Sequence, residues 1–313
     1  MRRVALLAGG TGGAKLAAGM HGVLGPDLAV IANTADDCEI HGLYVSPDPD
    51  LCTYWLASLI DEERGWGLAG DTFTVHEQLT ELGAPGWFSL SDRDLATCLY
   101  RTHFLAEGGT LTAVQAQIAR GLGVEGRVLP MCDEPVRTHV HTPVGRRGLQ
   151  EFLILDEGAA PIEGVEVAGL GETRPTQDVL NTLAEAELIV IGPSNPVISI
   201  GPILAVPGMR EAIASARAPV VAVSPFVAGR AIKGPTEAFM KAIGRPVSAT
   251  GVASLYEGLL DGMVVDEGDP DPPPEGIATL SCPTLMEGPE GRTALAKRVL
   301  DWAEGLSGAH ASR

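Results

Sequence analysis

The sequence predicts an α/β fold, a mainly parallel sheet with a helical subdomain inserted into its connectivity. Three observations carry this. The chain opens strand, glycine turn, helix, strand. Four helical segments then run from about Leu51 to Leu122 with no strand between them. After that, short runs of Val, Ile and Leu alternate with amphipathic stretches. A βαβ start argues for a parallel sheet that binds ligands at the C-terminal edge of its strands.

The elements follow in order. Val4–Ala8 reads as a buried strand, Gly9–Gly13 as a tight turn, Ala14–Leu24 as a helix and Leu28–Ala32 as the next strand. The spacing of apolar residues predicts helices over Leu51–Arg64, Thr72–Leu82, Arg93–Glu107 and Thr112–Leu122, broken by glycine clusters. Ser91-Asp92-Arg93-Asp94 looks like a capped helix start. Arg127–Met131, Arg137–His141 and Leu149–Leu155 read as strands and can include a hairpin. Helices are expected over Thr176–Ala186 and Met209–Ala216, with buried strands at Glu187–Gly192 and Pro219–Ser224. The proline-rich stretch Asp269–Pro274 reads as an exposed loop, and the residues around His310 as a frayed tail. The division expected is a core of residues 1–50 and 123–313, with residues 51–122 as the helical insert.

Composition narrows the function. Apolar residues make up 45% of the 313, ample for a buried core. The net charge of −18 argues against binding nucleic acid through a general surface field. An anionic ligand would need local positive potential, from helix N-termini, a few basic residues or a divalent metal. The five cysteines are scattered with no Cys-x-x-Cys pair, which fits reduced thiols in the cytoplasm. The apolar run after Arg2-Arg3 is shorter than the ~7–15 residues of a signal peptide, so a first core strand is expected there. No stretch approaches the ~18 apolar residues of a membrane helix.

Four polar loops follow core strands. In Gly9-Gly10-Thr11-Gly12-Gly13-Ala14-Lys15 the glycines permit close backbone approach, and the helix start offers free N–H groups to an anion. It is neither a Walker A loop nor a strict Gly-x-Gly-x-x-Gly, and a turn needing positive φ would use the same residues. Asn33-Thr34-Ala35-Asp36-Asp37 follows the second strand, where Asp36 or Asp37 could hold a metal or a ligand hydroxyl, or serve a solvated turn. Gly192-Pro193-Ser194-Asn195-Pro196 and Ser224-Pro225 complete the set. Ser46-Pro47-Asp48-Pro49-Asp50 would, if extended, point Asp48 and Asp50 the same way, a pair suited to Mg²⁺ and also the make-up of an ordinary loop. His139 and His141 alternate on an expected strand without a third ligand. Trp66, Trp87 and Phe88 could stack on a flat ring or pack in a core.

In this order, the loops resemble the 2-phospho-lactate and phosphoenolpyruvate transferases of coenzyme F-420 assembly. The most specific string runs from Ile191 to Pro207, and the likeness extends to about residue 266. The resemblance implies a Rossmann-like, three-layer core and usually a homodimer. It implies that the ribityl hydroxyl of the deazaflavin Fo attacks a guanylylated three-carbon phosphoacid, with GMP leaving and Mg²⁺ as cofactor. It places an Fo contact on Asp50 and a second on Ser89. With it, Asp48 and Asp50 are the expected catalytic residues, and Asp37, Asp48 and Asp50 the expected metal ligands. Asn33 and Asp36 would contact Fo, while Gly10, Thr11, Gly12, Gly13, Lys15, Ser194 and Asn195 would contact nucleotide and phosphate. Asp50→Asn is accordingly expected to lower turnover far more than stability. The nucleotide-sugar-binding regulators of the same fold are the alternative; they tend to be glycine- and serine-rich after the paired aspartates, where this chain has Cys38-Glu39-Ile40-His41. A nicotinamide dehydrogenase would want an acidic residue capping the second strand, where Asn33 stands.

Overall fold

A computed structural model describes residues 2–306. The chain opens with β1 (Val4–Ala8), α1 (Gly10–Leu24) and β2 (Leu28–Ala32). A small hairpin, β3 (Cys38–Ile40) and β4 (Leu43–Val45), leads into α2 (Pro47–Leu56), α3 (Thr74–Glu81), α4 (Asp92–Ala106) and α5 (Leu111–Gly121). The chain returns through β5 (Arg127–Pro130). A separate antiparallel sheet holds β6 (Arg137–Thr142), β7 (Gly145–Gly148) and β8 (Gly164–Ala168), with α6 (Leu149–Ile154) between the last two. Next come α7 (Gln177–Glu185), β9 (Leu188–Ile191), α8 (Ile200–Ala205), α9 (Met209–Ser215) and β10 (Val220–Val223). The hairpin β11 (Phe226–Val227) and β12 (Arg230–Ala231) precedes α10 (Thr236–Ala242), α11 (Ala249–Leu255), β13 (Gly262–Asp266), β14 (Ala278–Cys282) and α12 (Gly288–Glu304).

Seven strands form one parallel sheet in the order β14-β13-β10-β9-β1-β2-β5. Both faces are covered. Val4, Leu6 and Ala8 of β1 pack toward α1, α2 and α12, while Ala5 and Leu7 pack toward α7, α8 and α9. Burial on both faces is why these strands read as unbroken apolar runs rather than alternating ones. The chain leaves β1 in one direction to β2 and β5, and in the other to β9, β10, β13 and β14. The crevice beyond the carboxyl ends of β1 and β9 is therefore the topological switch point, where open α/β sheets bind ligands. No helix among the described residues is long and apolar enough to cross a membrane.

Three expectations need correction. The glycine run is not a loop: Gly10 to Gly13 form the first turn of α1. Ser46-Pro47-Asp48-Pro49-Asp50 is not extended: Ser46 is the N-cap of α2, and Pro47 occupies the first helical turn, where its missing N–H costs nothing. Leu149–Leu155 is not a strand: Leu149–Ile154 is a helix with Gly148 as its N-cap, and Glu151 Oε2 accepts from the Gly148 N–H at 3.0 Å. Leu149 and Phe152, three apart, bury one helical face. The expected tail around His310 lies outside the described residues.

The helix starts of α3 and α4 cap each other. Asp92 accepts from the N–H groups of Thr74 and Val75 at 3.2 and 3.0 Å. Asp71, just before α3, accepts from the N–H groups of Arg93 and Asp94 at 3.0 and 3.4 Å.

Candidate active site

Loops after β1, β2, β9 and β10 meet at the switch point and floor a cleft of two connected chambers. The first has a volume of about 540 Å³ and is walled by Tyr54, Trp66, Trp87 and Phe88. The second, about 390 Å³, lies over Gly9 to Gly12, Lys15, Ser194, Asn195 and Thr236. Gly10, Thr11, Asp36, Leu153 and Lys233 line both, and so mark the junction.

The floor of the second chamber is the start of α1. Four N–H groups at a helix start lack partners within the helix. Here the Gly9 N–H donates to Ser194 Oγ at 3.2 Å and the Gly10 N–H to Asp48 Oδ1 at 2.7 Å. The next two, on Thr11 and Gly12, have no acceptor among the described residues. Asp48 answers the Gly10 donor, and the turn itself carries no acidic side chain, so the remaining N–H groups are left for an anion. Gly12 is required by packing: a Cβ there would collide with the carbonyl oxygen of Pro193. Lys15 lines the chamber with its ammonium 5.8 Å from the centre of the Trp55 ring.

Ser194 is buried against Gly9 and Gly13. Asn195 is spent on its own loop. Its Oδ1 accepts from the N–H groups of Val197 and Ile198 at 2.9 and 3.2 Å, and its Nδ2 donates to Thr236 Oγ1 at 3.2 Å. It shapes the chamber wall.

The carboxylates divide. Asn33 is wholly buried and its Nδ2 donates to Asp36 Oδ1 at 2.8 Å and to Asp48 Oδ2 at 2.9 Å. One amide thus holds two buried carboxylates face to face at the junction. Burial, then the nearby Asp48 charge, push Asp36 well above the usual carboxylate range. Burial pushes Asp48 up to about 6 against the bonds from Asn33 and Gly10. Asp37 turns away. It accepts from Tyr44 OH and Ser46 Oγ, each at 2.8 Å, and burial raises it to about 7.

Asp50 also departs from the expected pairing with Asp48. In a helix, residues two apart point to different sides. Asp50 is ion-paired with the fully buried Arg101 of α4. Nearby, Asp94 accepts from Tyr54 OH at 2.7 Å, and burial raises it to about 6. Asp50, Asp94 and Cys98 form the one grouping of three metal-capable side chains found among the described residues, but Arg101 already answers the Asp50 charge. Asp37, Asp48 and Asp50, the ligand set expected from sequence, are not gathered at one point. The pair at the junction that could hold a divalent cation is Asp36 with Asp48: Mg²⁺ takes one or two carboxylates and completes its shell with substrate phosphates and water. Ser89 lies exposed on the lip of the aromatic chamber.

This arrangement has a pH signature. Asp37, Asp48 and Asp94 lie at about 7, 6 and 6, above the ~3.9 of an unfolded aspartate. The native state therefore holds their protons more tightly. Stability is greatest below about pH 4 as far as these groups go, and falls as pH rises through about 7. In a thermal melt of the metal-free chain, Tm is expected to fall between pH 5 and 7.5 and Mg²⁺ to flatten the decline. A Tm that climbs across that range would contradict the assignment.

The chain is similar to known proteins over most of its length. A family model described as "2-phospho-L-lactate transferase CofD" matches residues 4–277. A phosphoenolpyruvate transferase of Kitasatospora aureofaciens is 39% identical, covering 96% of this chain and 98% of its own length. A 2-phospho-L-lactate transferase of Methanosarcina mazei is 39% identical over 84% of this chain and 87% of its own. In fold, the chain is similar to a solved Bacillus halodurans protein of the UPF0052 family, with a TM-score of 0.62 at 19% identity, covering 96% and 99% of the two chains.

Proposed function

Because the chain belongs to the 2-phospho-L-lactate transferase CofD family, we propose that it moves a phospholactyl or phosphoenolpyruvyl group from a guanosine diphosphate carrier to the ribityl hydroxyl of Fo, releasing GMP, in coenzyme F-420 biosynthesis. One observation carries this reading. An aromatic chamber and an anion-binding chamber open into each other at a buried pair of carboxylates, Asp36 and Asp48.

The division of labour follows from the walls. Trp66, Trp87 and Phe88 offer faces and edges for a flat deazaflavin ring. The Thr11 and Gly12 N–H groups and Lys15 take the diphosphate. Each reactant then meets the other beside Asp36. Alignment of this kind supplies most of the catalysis in phosphoryl transfer, where the transition state is loose. Asp36 and Asp48 would hold Mg²⁺, which supplies neutralisation of charge on the phosphate oxygens. The bond from the ribityl oxygen to phosphorus forms as the bond to the GMP oxygen breaks. The hydroxyl proton leaves late and passes to the Asp36 carboxylate, whose Oδ2 is not engaged by Asn33.

The test mixes the purified chain with Fo, Mg²⁺ and, in turn, the lactyl, enolpyruvyl and glyceryl guanosine diphosphates. Mass detection follows GMP and the deazaflavin phosphodiester. Product with one donor is expected and also fixes the three-carbon group. No product from any donor, with folded protein that still binds guanine nucleotide, refutes the proposal.

A further inference from the structure

The junction of the chambers has a cation that no loop motif announces. Lys233 lies between β12 and α10 and lines both chambers. It makes no hydrogen bond or salt bridge among the described residues. Arg64, the cation of the aromatic chamber, is by contrast paired with Asp61 at 3.1 Å and donates to the Leu68 carbonyl at 2.9 Å. Lys15 reaches the second chamber alone. Lys233 is the basic residue present where the two chambers join.

Two features bring it to the junction. The β11–β12 turn places Ala228 and Gly229 at φ of 49° and 76°, which suits a two-residue hairpin turn. Asp266 Oδ1 accepts from the Ala228 N–H at 3.1 Å, and Asp269 Oδ1 from the Gly229 N–H at 2.7 Å. Across the cleft, Gly65 of the Gly65-Trp66-Gly67 turn leaves room for the ammonium. A Cβ at Gly65 would lie 2.5 Å from Lys233 Nζ. Lys233 thus spans from the sheet domain's edge to the loop that carries Trp66. Burial first, and then the charge of Lys233, lower the pKa of Lys15. The two ammoniums feel one another across a chamber that contains no carboxylate besides Asp36, as expected of a site built for an anion.

If the nucleotide fills one chamber and the deazaflavin the other, the phosphorus under attack lies at the junction. We propose that Lys233 is a catalytic residue whose ammonium contacts a non-bridging oxygen of the phosphoryl group during its transfer. This rests on the transferase reading above. Lys233 keeps its proton throughout. The ribityl oxygen gains the bond to phosphorus, the GMP oxygen leaves with the electron pair, and the ammonium balances the charge spread over the phosphoryl oxygens. Aimed at developing charge, such a group acts on kcat more than on acceptor binding.

The test compares the full chain with Lys233→Ala and Lys233→Arg in turnover and in calorimetric binding of guanosine diphosphate. Lys233 is exposed, so the variants should fold; thermal melts check this. Expected for Lys233→Ala are a kcat roughly 10²–10³-fold lower, a KM for Fo within about threefold, and guanosine diphosphate binding weaker by about tenfold. Added ethylamine should restore part of kcat in Lys233→Ala and none in wild type. Unchanged kcat, or a loss confined to the KM for Fo with no amine rescue, overturns the proposal. If wild type binds guanosine diphosphate but turns over no donor, the transferase reading falls, and diphosphate affinity alone decides on Lys233: about tenfold weaker in Lys233→Ala supports the contact, unchanged removes it. If wild type binds no guanosine diphosphate, both fall.

Discussion

Asp36→Asn is expected to lower kcat by roughly 10²–10⁴-fold and to raise Tm. The two effects share a cause. Asp36 is buried, faces Asp48 across one amide, and its charge is disfavoured by burial and by Asp48. Asparagine has the same shape. Its Oδ1 can still accept from Asn33 Nδ2, as Asp36 Oδ1 does at 2.8 Å, so the loop after β2 keeps its form. What is lost is the charge that faces the junction. That removes a desolvation cost from the folded state and the means of binding a cation or taking a proton. GMP release and a thermal melt on the same preparation check this. A kcat within about threefold of wild type would remove Asp36 from the chemistry. A Tm well below wild type would mean that the carboxylate is structural.

Arg101 gives the opposite result. Arg101→Met is expected to destabilise the chain by about 3–5 kcal/mol, because it leaves Asp50 charged, buried and unpaired. At ~2–4 °C per kcal/mol for a chain of this size, Tm should fall by roughly 10 °C. Arg101 joins three helices. It pairs with Asp50 of α2, donates to the Tyr44 carbonyl at 3.3 Å and reaches Gln115 Oε1 of α5 at 3.4 Å. Gln115 Nε2 in turn donates to Thr53 Oγ1 at 2.8 Å. Asp50→Asn strands the arginine in the same way, so its first effect should be on stability, against the expectation from sequence. The double variant Asp50→Leu/Arg101→Met should recover much of the loss, since apolar side chains can replace a buried ion pair. A melt series of the singles and the double decides it. Additive losses would mean that the two side chains do not depend on each other.

The sequence disclosed what rests on local pattern and little of what rests on long-range packing. β1, β2, β9 and β10 were legible because strands buried on both faces leave unbroken apolar runs. Polar residues directly after those runs marked the cleft floor. The start of α2 is legible in principle: Ser46 before Pro47 is a helix-start signal, competing with the extended run that two prolines also allow. Glu151, three residues after Gly148, marks α6 by half of the capping-box signal, its carboxylate accepting the N-cap N–H. Asp36 and Asp48 both stand in polar segments that local pattern marks, but their opposition across Asn33 depends on α2 packing beside the β2 loop. The splitting of Asp48 from Asp50 follows from the helix, and the partner of Asp50 stands 51 residues away. Arg101 had no local signal, being one polar residue on an amphipathic helix. Lys233 had none either, since only the β11–β12 hairpin brings it to the junction.

The exchange of caps between α3 and α4 has a consequence for motion. Each helix owes its first turn to an aspartate at the edge of the other. Neither start can fray without uncapping its neighbour. The segment from Asp71 to Asp94, which carries Trp87 and Phe88, is thereby closed into a ring of reciprocal dependence. Local opening there is all-or-none, a small cooperative unit within the larger fold. The wall of the aromatic chamber is held as one piece or released as one piece.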